Sequence, residues 1–146
     1  MLHRSFDLDS PSTMFMTLAL AKPGQQLLVE EIDALRAAFM RVQKHRPFRL
    51  DAWVALPDRM LCVWTLPPGD LDTAGRWRAI RRAFAGAVGP GRARWRSAEP
   101  PRIVSSVVDY ADCVRQCWFA PVRQGLAGRP EEWAHSSIHD DSPISG

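Results

Sequence analysis

The sequence predicts an α+β fold in a single domain that spans residues 1–146. In residues 48–70, two almost continuously apolar runs, rich in aromatic and β-branched residues, flank Leu56-Pro57-Asp58. Because proline fixes φ and aspartate favours turns, this stretch predicts a hairpin of two strands that are buried on both faces. Apolar residues with helical spacing occur before and after it. The predicted order of elements is β-α-β-β-α-β-α, which fits an α+β sheet protein.

The chain before the hairpin divides into a polar lead-in, a strand and a helix. Residues 1–12 are polar and predict an extended lead-in. Residues 13–21 have the composition of a strand, which Lys22-Pro23-Gly24 ends. Residues 27–45 predict a helix because apolar side chains recur at three- and four-residue steps on one face. These side chains are Leu28, Ile32, Leu35, Phe39 and Val42.

The chain after the hairpin predicts two helices with an interrupted strand between them. Residues 76–88 form the first helix, with Trp77, Ile80, Phe84 and Val88 on one face. Residues 92–104 have no helical period, and Pro100-Pro101 removes two hydrogen-bond donors, so we expect a strand that is shortened or lies at an edge.

The last helix is predicted over residues 107–119. Pro121 is expected to end it, because proline lacks the amide hydrogen that continues a helix. We expect residues 140–146 to be a disordered tail.

Composition places the chain among globular proteins of a reducing compartment. Hydrophobic residues make up 46% and charged residues 24% of the chain. The longest mainly apolar run, residues 14–21, is far shorter than the roughly 20 residues that a membrane span needs, so no membrane association is expected. Three cysteines, Cys62, Cys113 and Cys117, include no C-x-x-C pair and predict buried thiols rather than disulfides. We therefore expect a cytoplasmic protein.

Positive charge is concentrated in one part of the chain, although the net charge is only +3. Residues 76–96 contain seven arginines and no acid. Arginines near Trp77 and Trp95 can contact phosphates and stack on splayed bases, which predicts a DNA-binding face. The alternative is that Trp77 belongs to the core and the arginines form a solvated surface. The predicted DNA-binding residues are Arg76, Arg78, Arg81, Arg82, Arg92, Arg94 and Arg96.

Several short motifs resemble those of the REP-associated tyrosine transposases, single-strand DNA transposases of the HUH type. The resemblance extends over residues 4–137. It implies a ferredoxin-like antiparallel sheet with helices packed on one face. It also implies single-stranded or hairpin DNA as the partner, and a homodimer is possible because the family includes monomers and dimers. The most specific motifs are Leu56-Pro57-Asp58, Trp64-Thr65-Leu66-Pro67-Pro68-Gly69-Asp70, Arg76-Trp77-Arg78 and Pro121-Val122-Arg123 with Gly125-Leu126.

The resemblance also implies a chemistry that this chain has lost. In the family, a tyrosine attacks the phosphodiester, a divalent cation (Mg²⁺ or Mn²⁺) held by two histidines polarises the phosphate, and an asparagine completes the site. The histidine positions hold Arg59 and Leu61 here, the tyrosine position holds Gln116, and the asparagine position holds Ala120. Leucine and alanine have no lone pair, arginine stays protonated and glutamine is no nucleophile. We therefore expect no catalytic residue, no metal ligand and no cofactor.

Three functional hypotheses follow from these residues. The first is a transposase-like protein that binds DNA but cannot cut it. The second is an active transposase or nuclease with a rearranged site, for which Tyr110, the sole tyrosine, is the candidate nucleophile. The third is a decaying remnant without function. Whether the chain is an enzyme is thus left open at this point.

Two further groups of residues have both a functional and a structural interpretation. Arg59 could hold a phosphate where the family has its metal, or it could be a salt-bridged surface residue. His135 and His139, beside Asp140 and Asp141, could bind a metal on a helix, or they could be a solvated pair.

Overall fold

The strands form one antiparallel sheet in the order β4-β1-β3-β2-β5. The computed structural model describes residues 11–97, 100–140 and 144–145. The order β4-β1-β3-β2, with a helical connection between β1 and β2 and another between β3 and β4, is the ferredoxin-like arrangement. The predicted α+β class and antiparallel sheet are therefore confirmed. The strands are β1 (Ser12–Ala19), β2 (Arg49–Ala55), β3 (Arg59–Leu66), β4 (Arg102–Ile103) and β5 (Ile144–Ser145).

Helices cover both faces of the sheet, so the expectation that they pack on one face is wrong. Two of them, α2 and α3, pack on the face to which Met16, Cys62 and Trp64 point. The last helix, α4, packs on the opposite face against Val54 and Val63. Strands β2 and β3 have apolar residues at both odd and even positions, and each apolar face needs its own cover. The helices are α1 (Leu27–Glu30), α2 (Ile32–His45), α3 (Thr73–Val88) and α4 (Val107–Arg123).

The predicted hairpin is confirmed, and its second strand is the centre of the sheet. Strand β3 pairs with β1 on one side and with β2 on the other. From Cys62 to Leu66 every residue of β3 is buried. Trp64 is fully buried and packs against Phe48 at 4.6 Å and Phe39 at 6.0 Å between ring centroids. The hairpin thus contributes side chains to both cores.

Three helix boundaries differ from the predicted ones. Helix α3 begins at Thr73, three residues before the predicted start at residue 76, and the Asp72 side chain caps it by accepting from the Gly75 amide. The helix predicted over residues 27–45 is interrupted at Glu31, which separates α1 from α2. Helix α4 continues through Pro121 to Arg123, so the prediction that Pro121 ends it is wrong. The Pro121 ring is fully buried, and its packing offsets the loss of one backbone hydrogen bond. The chain leaves the helix at Gly125, whose φ of 74° suits glycine.

The strand after α3 is shortened, as Pro100-Pro101 predicts. Strand β4 contains two residues and pairs with Met14 and Phe15 at the edge of the sheet. Upstream of the prolines, Trp95 forms an isolated antiparallel bridge with Leu20. The Arg96 amide donates to the Ala19 carbonyl over 2.8 Å, so this segment extends the sheet next to the end of β1.

The end of the chain is fastened to the edge of β2. The Trp133 indole donates to the Ala55 carbonyl over 2.8 Å, and the Ala55 amide donates to the His135 carbonyl over 2.9 Å. Ile144 and Ser145, which fall in the tail predicted to be disordered, pair with β2. The rest of that tail beyond Asp140, and residues 1–10 of the predicted lead-in, lie outside the described residues. Within the described residues, no helix combines the length and apolarity of a membrane span.

A buried arginine joins the end of α2 to the start of α3. Arg76 is 2% exposed, and its guanidinium makes two hydrogen bonds of 2.8 and 2.9 Å to the Asp70 carboxylate. It also donates to the carbonyls of Arg46, Pro47 and Asp72. One planar guanidinium thus satisfies acceptors from two separate segments, residues 46–47 and 70–72.

Replacing Arg76 by alanine should lower the free energy of unfolding by about 3 kcal/mol, because it leaves a carboxylate and buried carbonyls without their donor. The measurement is urea unfolding at neutral pH. The matched control is Arg78→Ala in the same helix, where an exposed side chain is lost and the change should stay within about 0.5 kcal/mol. Equal effects of the two substitutions would contradict the structural role of Arg76.

The Asp70–Arg76 pair should also make the free energy of unfolding depend on pH in the acid range. Hydrogen bonding from Arg76 lowers the pKa of Asp70 to about 2, below the value of about 3.9 in an unfolded chain. A lowered pKa stabilises the fold above the unfolded value and loses its effect as the pH falls towards 2. The gap in urea midpoint between the unmutated chain and Asp70→Asn should therefore narrow between about pH 4 and pH 2. Asp112→Asn, at an exposed position of α4, is the matched control for the loss of one carboxylate.

Candidate functional site

The four positions at which the sequence departs from the resembled motif lie on β3 and α4, where the sheet meets this helix. Leu61, on β3, and Ala120, on α4, belong to one apolar cluster together with Val54, Cys113 and Cys117. Ala120 is buried and Leu61 is partly buried. The fold thus brings together the strand and helix positions that the resemblance pairs, but the side chains that meet there are apolar.

Arg59 begins β3, two residues before Leu61, and both side chains point to the α4 face. Its Nε lies 3.3 Å from the Asp58 carboxylate, which also accepts from the Gly24 amide over 3.0 Å. Burial opposes ionisation of Asp58, but the two donors outweigh it and the pKa of Asp58 is lowered. Arg59 is thus salt-bridged to Asp58, and its side chain keeps 38% exposure.

Gln116 lies on α4 one turn before Ala120, at the margin of the buried stripe. Gln116 is half-buried, and its backbone carbonyl accepts a hydrogen bond of 2.8 Å from the Arg123 guanidinium. An amide can hold a polar group by hydrogen bonds, but it cannot attack a phosphodiester.

These side chains do not fit a divalent metal ion. A cation site needs oxygen, nitrogen or sulfur lone pairs, whereas Leu61 and Ala120 have none and the Arg59 guanidinium carries a positive charge. Within residues 11–97 and 100–140, no three His, Cys, Asp or Glu side chains lie together in a way that could hold a metal.

Tyr110 lies on the same face of the sheet, but towards the start of α4. It is half-buried in the apolar cluster that contains Leu61 and Ala120. Burial raises the pKa of the Tyr110 phenol, and the nearby Asp51 carboxylate raises it further. The Asp51 side chain is 2% exposed and accepts from Arg49 and Thr65. A phenol in these surroundings is harder to ionise than a free one.

The structure removes Arg76 from the predicted DNA-binding set. Its guanidinium is buried and occupied by Asp70 and three carbonyls, so it cannot reach a phosphate. Arg81 is half-buried and lies over the Trp77 ring at 5.7 Å, with its Nε buried. Trp77 itself is buried in the core. Helical periodicity alone could not reveal that Arg76 is buried, because the loop that precedes α3 covers its side chain.

The remaining α3 arginines, Arg78 and Arg82, are exposed and belong to a wider cationic surface. A groove of about 560 Å³ separates α2 from α3, and its walls carry Arg82 on one side and three basic residues on the other. The sequence analysis missed these residues: Arg41 and His45 are exposed on α2, and Arg46 follows its last residue. The basic residues near the end of that amphipathic helix were the available signal.

Of the last three arginines in the predicted set, one forms an ion pair and two lie at the edge of the sheet. Arg92 pairs with Glu31 at 3.1 Å, which reduces its net charge. Arg94 and Arg96 are exposed on either side of Trp95, whose ring packs against Trp77 at 4.8 Å. Because side chains alternate in an extended segment, Arg94 and Arg96 point away from that core, towards the α4 side.

The two histidines near the end of the chain are not arranged as a metal pair. His139 Nε2 lies 2.7 Å from the Trp133 carbonyl. The His135 ring packs edge-to-face on Trp133, and burial together with nearby Arg36 lowers its pKa. Both rings thus contact the segment that fastens the chain to β2.

Comparison with known proteins identifies the family. No protein-family model matches the chain. It is 36% identical, over 129 residues, to the REP-associated tyrosine transposase of Escherichia coli (strain K12), across 88% of this chain and 78% of that protein. The chain belongs to the REP-associated tyrosine transposase family. It is also similar to the solved structure of a REP-associated tyrosine transposase bound to a REP hairpin, with a TM-score of 0.85 and 33% identity, over 97% of this chain and 84% of that one.

In the REP-associated tyrosine transposases, the four altered positions correspond to the residues of the resembled motif. They occupy the strand–helix interface at which the family's motif places its two histidines, tyrosine and asparagine. A transposase-like, DNA-binding character follows from the family.

Proposed function

We propose that this protein is a transposase-like DNA-binding protein that recognises hairpin or single-stranded DNA without cleaving it. The observation that carries the proposal is the replacement of all four chemical positions by Arg59, Leu61, Gln116 and Ala120 within an intact fold. The family's nucleophile, its two metal ligands and its asparagine are all replaced at one interface. Compensation for one loss is conceivable, but four losses remove the reaction's attack and its charge stabilisation.

DNA binding is supported by the positive charge of the surface and by the similarity to a protein whose structure was solved with DNA. The related protein of known structure was solved with a REP hairpin, and this chain matches its fold over almost its whole length. Exposed arginines occur on α3 and in the segment beside β1, and the α2–α3 groove adds three basic residues. Phosphate contacts by such residues supply affinity that depends strongly on salt.

An active enzyme that uses Tyr110 is less well supported. A tyrosine nucleophile must lose its proton in the reaction, and both burial and the Asp51 carboxylate raise the pKa of this phenol. Tyr110 also precedes the family's tyrosine position by six residues, which is about 9 Å along a helix. A protein that binds DNA without cleaving it does not require the nucleophile to move along the helix.

The unmutated protein should form no covalent adduct with hairpin DNA that carries single-stranded flanks, even with Mn²⁺. The measurement is denaturing gel electrophoresis of labelled DNA after incubation. The combined reversion Arg59→His, Leu61→His, Gln116→Tyr and Ala120→Asn should restore an adduct, because it returns the nucleophile and the ligands. The matched control carries the other three changes but keeps Gln116. An adduct formed by the unmutated chain would refute the loss of cleavage.

Hairpin DNA should bind with an affinity that falls as salt rises, and Arg78→Gln with Arg82→Gln should weaken that binding about tenfold near 0.1 M salt. The slope of log affinity against log salt should flatten by about 1.5, because two phosphate contacts are lost. Fluorescence anisotropy measures both quantities. The control, Arg115→Gln with Arg129→Gln, removes the same charge from positions outside the α2–α3 groove. A chain that binds no hairpin even at low salt would refute the proposed function.

A further inference from the structure

Arg59 and Arg96 lie in one row across the sheet, on either side of Ala19. In the β1–β3 register Ala19 is directly opposite Arg59. On its other side, the Arg96 amide donates to the Ala19 carbonyl over 2.8 Å, next to the Leu20–Trp95 bridge. Neighbouring strands are about 4.8 Å apart, so the two arginine backbones are about 10 Å apart.

Both arginine side chains point to the α4 side of the sheet. Residues opposite each other in an antiparallel pair share a face, so Arg59 and Ala19 point the same way. Trp95 is directed into the core beside Trp77 and Phe84, and alternation turns Arg96 to the opposite face. The row therefore presents two guanidiniums with a methyl group between them.

This part of the sheet face is open. Helix α4 packs over β2 and β3, while Thr17 on β1 is exposed and Ala19 is partly exposed. Arg59 retains 38% side-chain exposure, and Arg96 is exposed. A ligand can thus approach the row from the side on which the family's motif places its metal ligands.

We infer that Arg59 and Arg96 hold one phosphate of a bound DNA strand between them, in place of the family's metal ion. This inference rests on the proposed DNA binding and names a contact that it would use. Two planar guanidiniums match the oxygens of a phosphodiester and donate charge-assisted hydrogen bonds. Positive charge at the altered metal position thus holds the substrate's phosphate but supplies no nucleophile and no polarising metal. The Asp58 carboxylate orients Arg59 through its 3.3 Å contact.

The test pairs protein substitutions with changes in the DNA. Single methylphosphonate linkages, which carry no charge, are placed in turn along a hairpin with single-stranded flanks. Anisotropy then measures each affinity for the unmutated chain and for Arg59→Gln with Arg96→Gln. We expect one linkage whose neutralisation costs the unmutated chain about tenfold in affinity and costs the double variant almost nothing. That loss of additivity marks the contacted phosphate.

Two controls separate this contact from a general effect of charge. Arg115→Gln with Arg129→Gln removes two cations elsewhere and should keep the full methylphosphonate effect. Ala19→Glu, which places a carboxylate between the two arginines, should reproduce the double variant, whereas Ala111→Glu on exposed α4 should not. Thermal unfolding checks that each variant is folded. Binding by the unmutated chain should also be unaffected by EDTA at constant ionic strength.

The outcomes distinguish this inference from the proposed function. If the hairpin binds but every methylphosphonate effect persists in the double variant, the Arg59–Arg96 contact is refuted and DNA binding stands. If the unmutated chain binds no hairpin at low salt, both are refuted. Affinity that requires Mn²⁺ and is lost in EDTA would also refute the replacement of the metal by arginine.

Discussion

The central strand, β3, must satisfy two hydrophobic cores at once. Its alternate residues point to α2 and α3 on one side and to α4 on the other, and nearly all of them are buried. A strand of this kind tolerates a polar side chain only where a partner or open solvent is present. Position 61 lies on the α4 side of this strand. A side chain at this position must therefore either have a polar partner beneath α4 or pack into the core there.

Leu61 and Ala120 have become part of that core. Apolar side chains at these positions bury surface that metal-binding and hydrogen-bonding groups would keep hydrated, and such burial stabilises the fold. Active sites commonly reduce stability, so the loss of catalytic residues can leave a scaffold intact or strengthen it. Arg59, at the margin of the same face, keeps 38% side-chain exposure beside Asp58.

Arginines that are neighbours in sequence have different physical roles in this protein. Arg76 joins two segments from inside the molecule, Arg81 lies over Trp77, and Arg78 with Arg82 faces solvent beside the α2–α3 groove. Arg96 leaves this helical layer altogether and reaches the sheet face occupied by Arg59. Charge density along the sequence therefore does not tell which surface each arginine reaches, and exposed basic residues lie on α2 as well as on α3.

Local sequence by itself determined the α+β class, the hairpin around Leu56-Pro57-Asp58 and the short edge strand after Pro100-Pro101, because these follow from periodicity and from the chemistry of proline. The identity of the four altered positions also came from sequence, through motifs with fixed spacing. Only the tertiary structure decided that α4 covers the second face, that Pro121 stays inside a helix and that Arg76 is buried. Those outcomes depend on packing between segments far apart in the chain, and a local pattern contains no information about which distant surface will cover it.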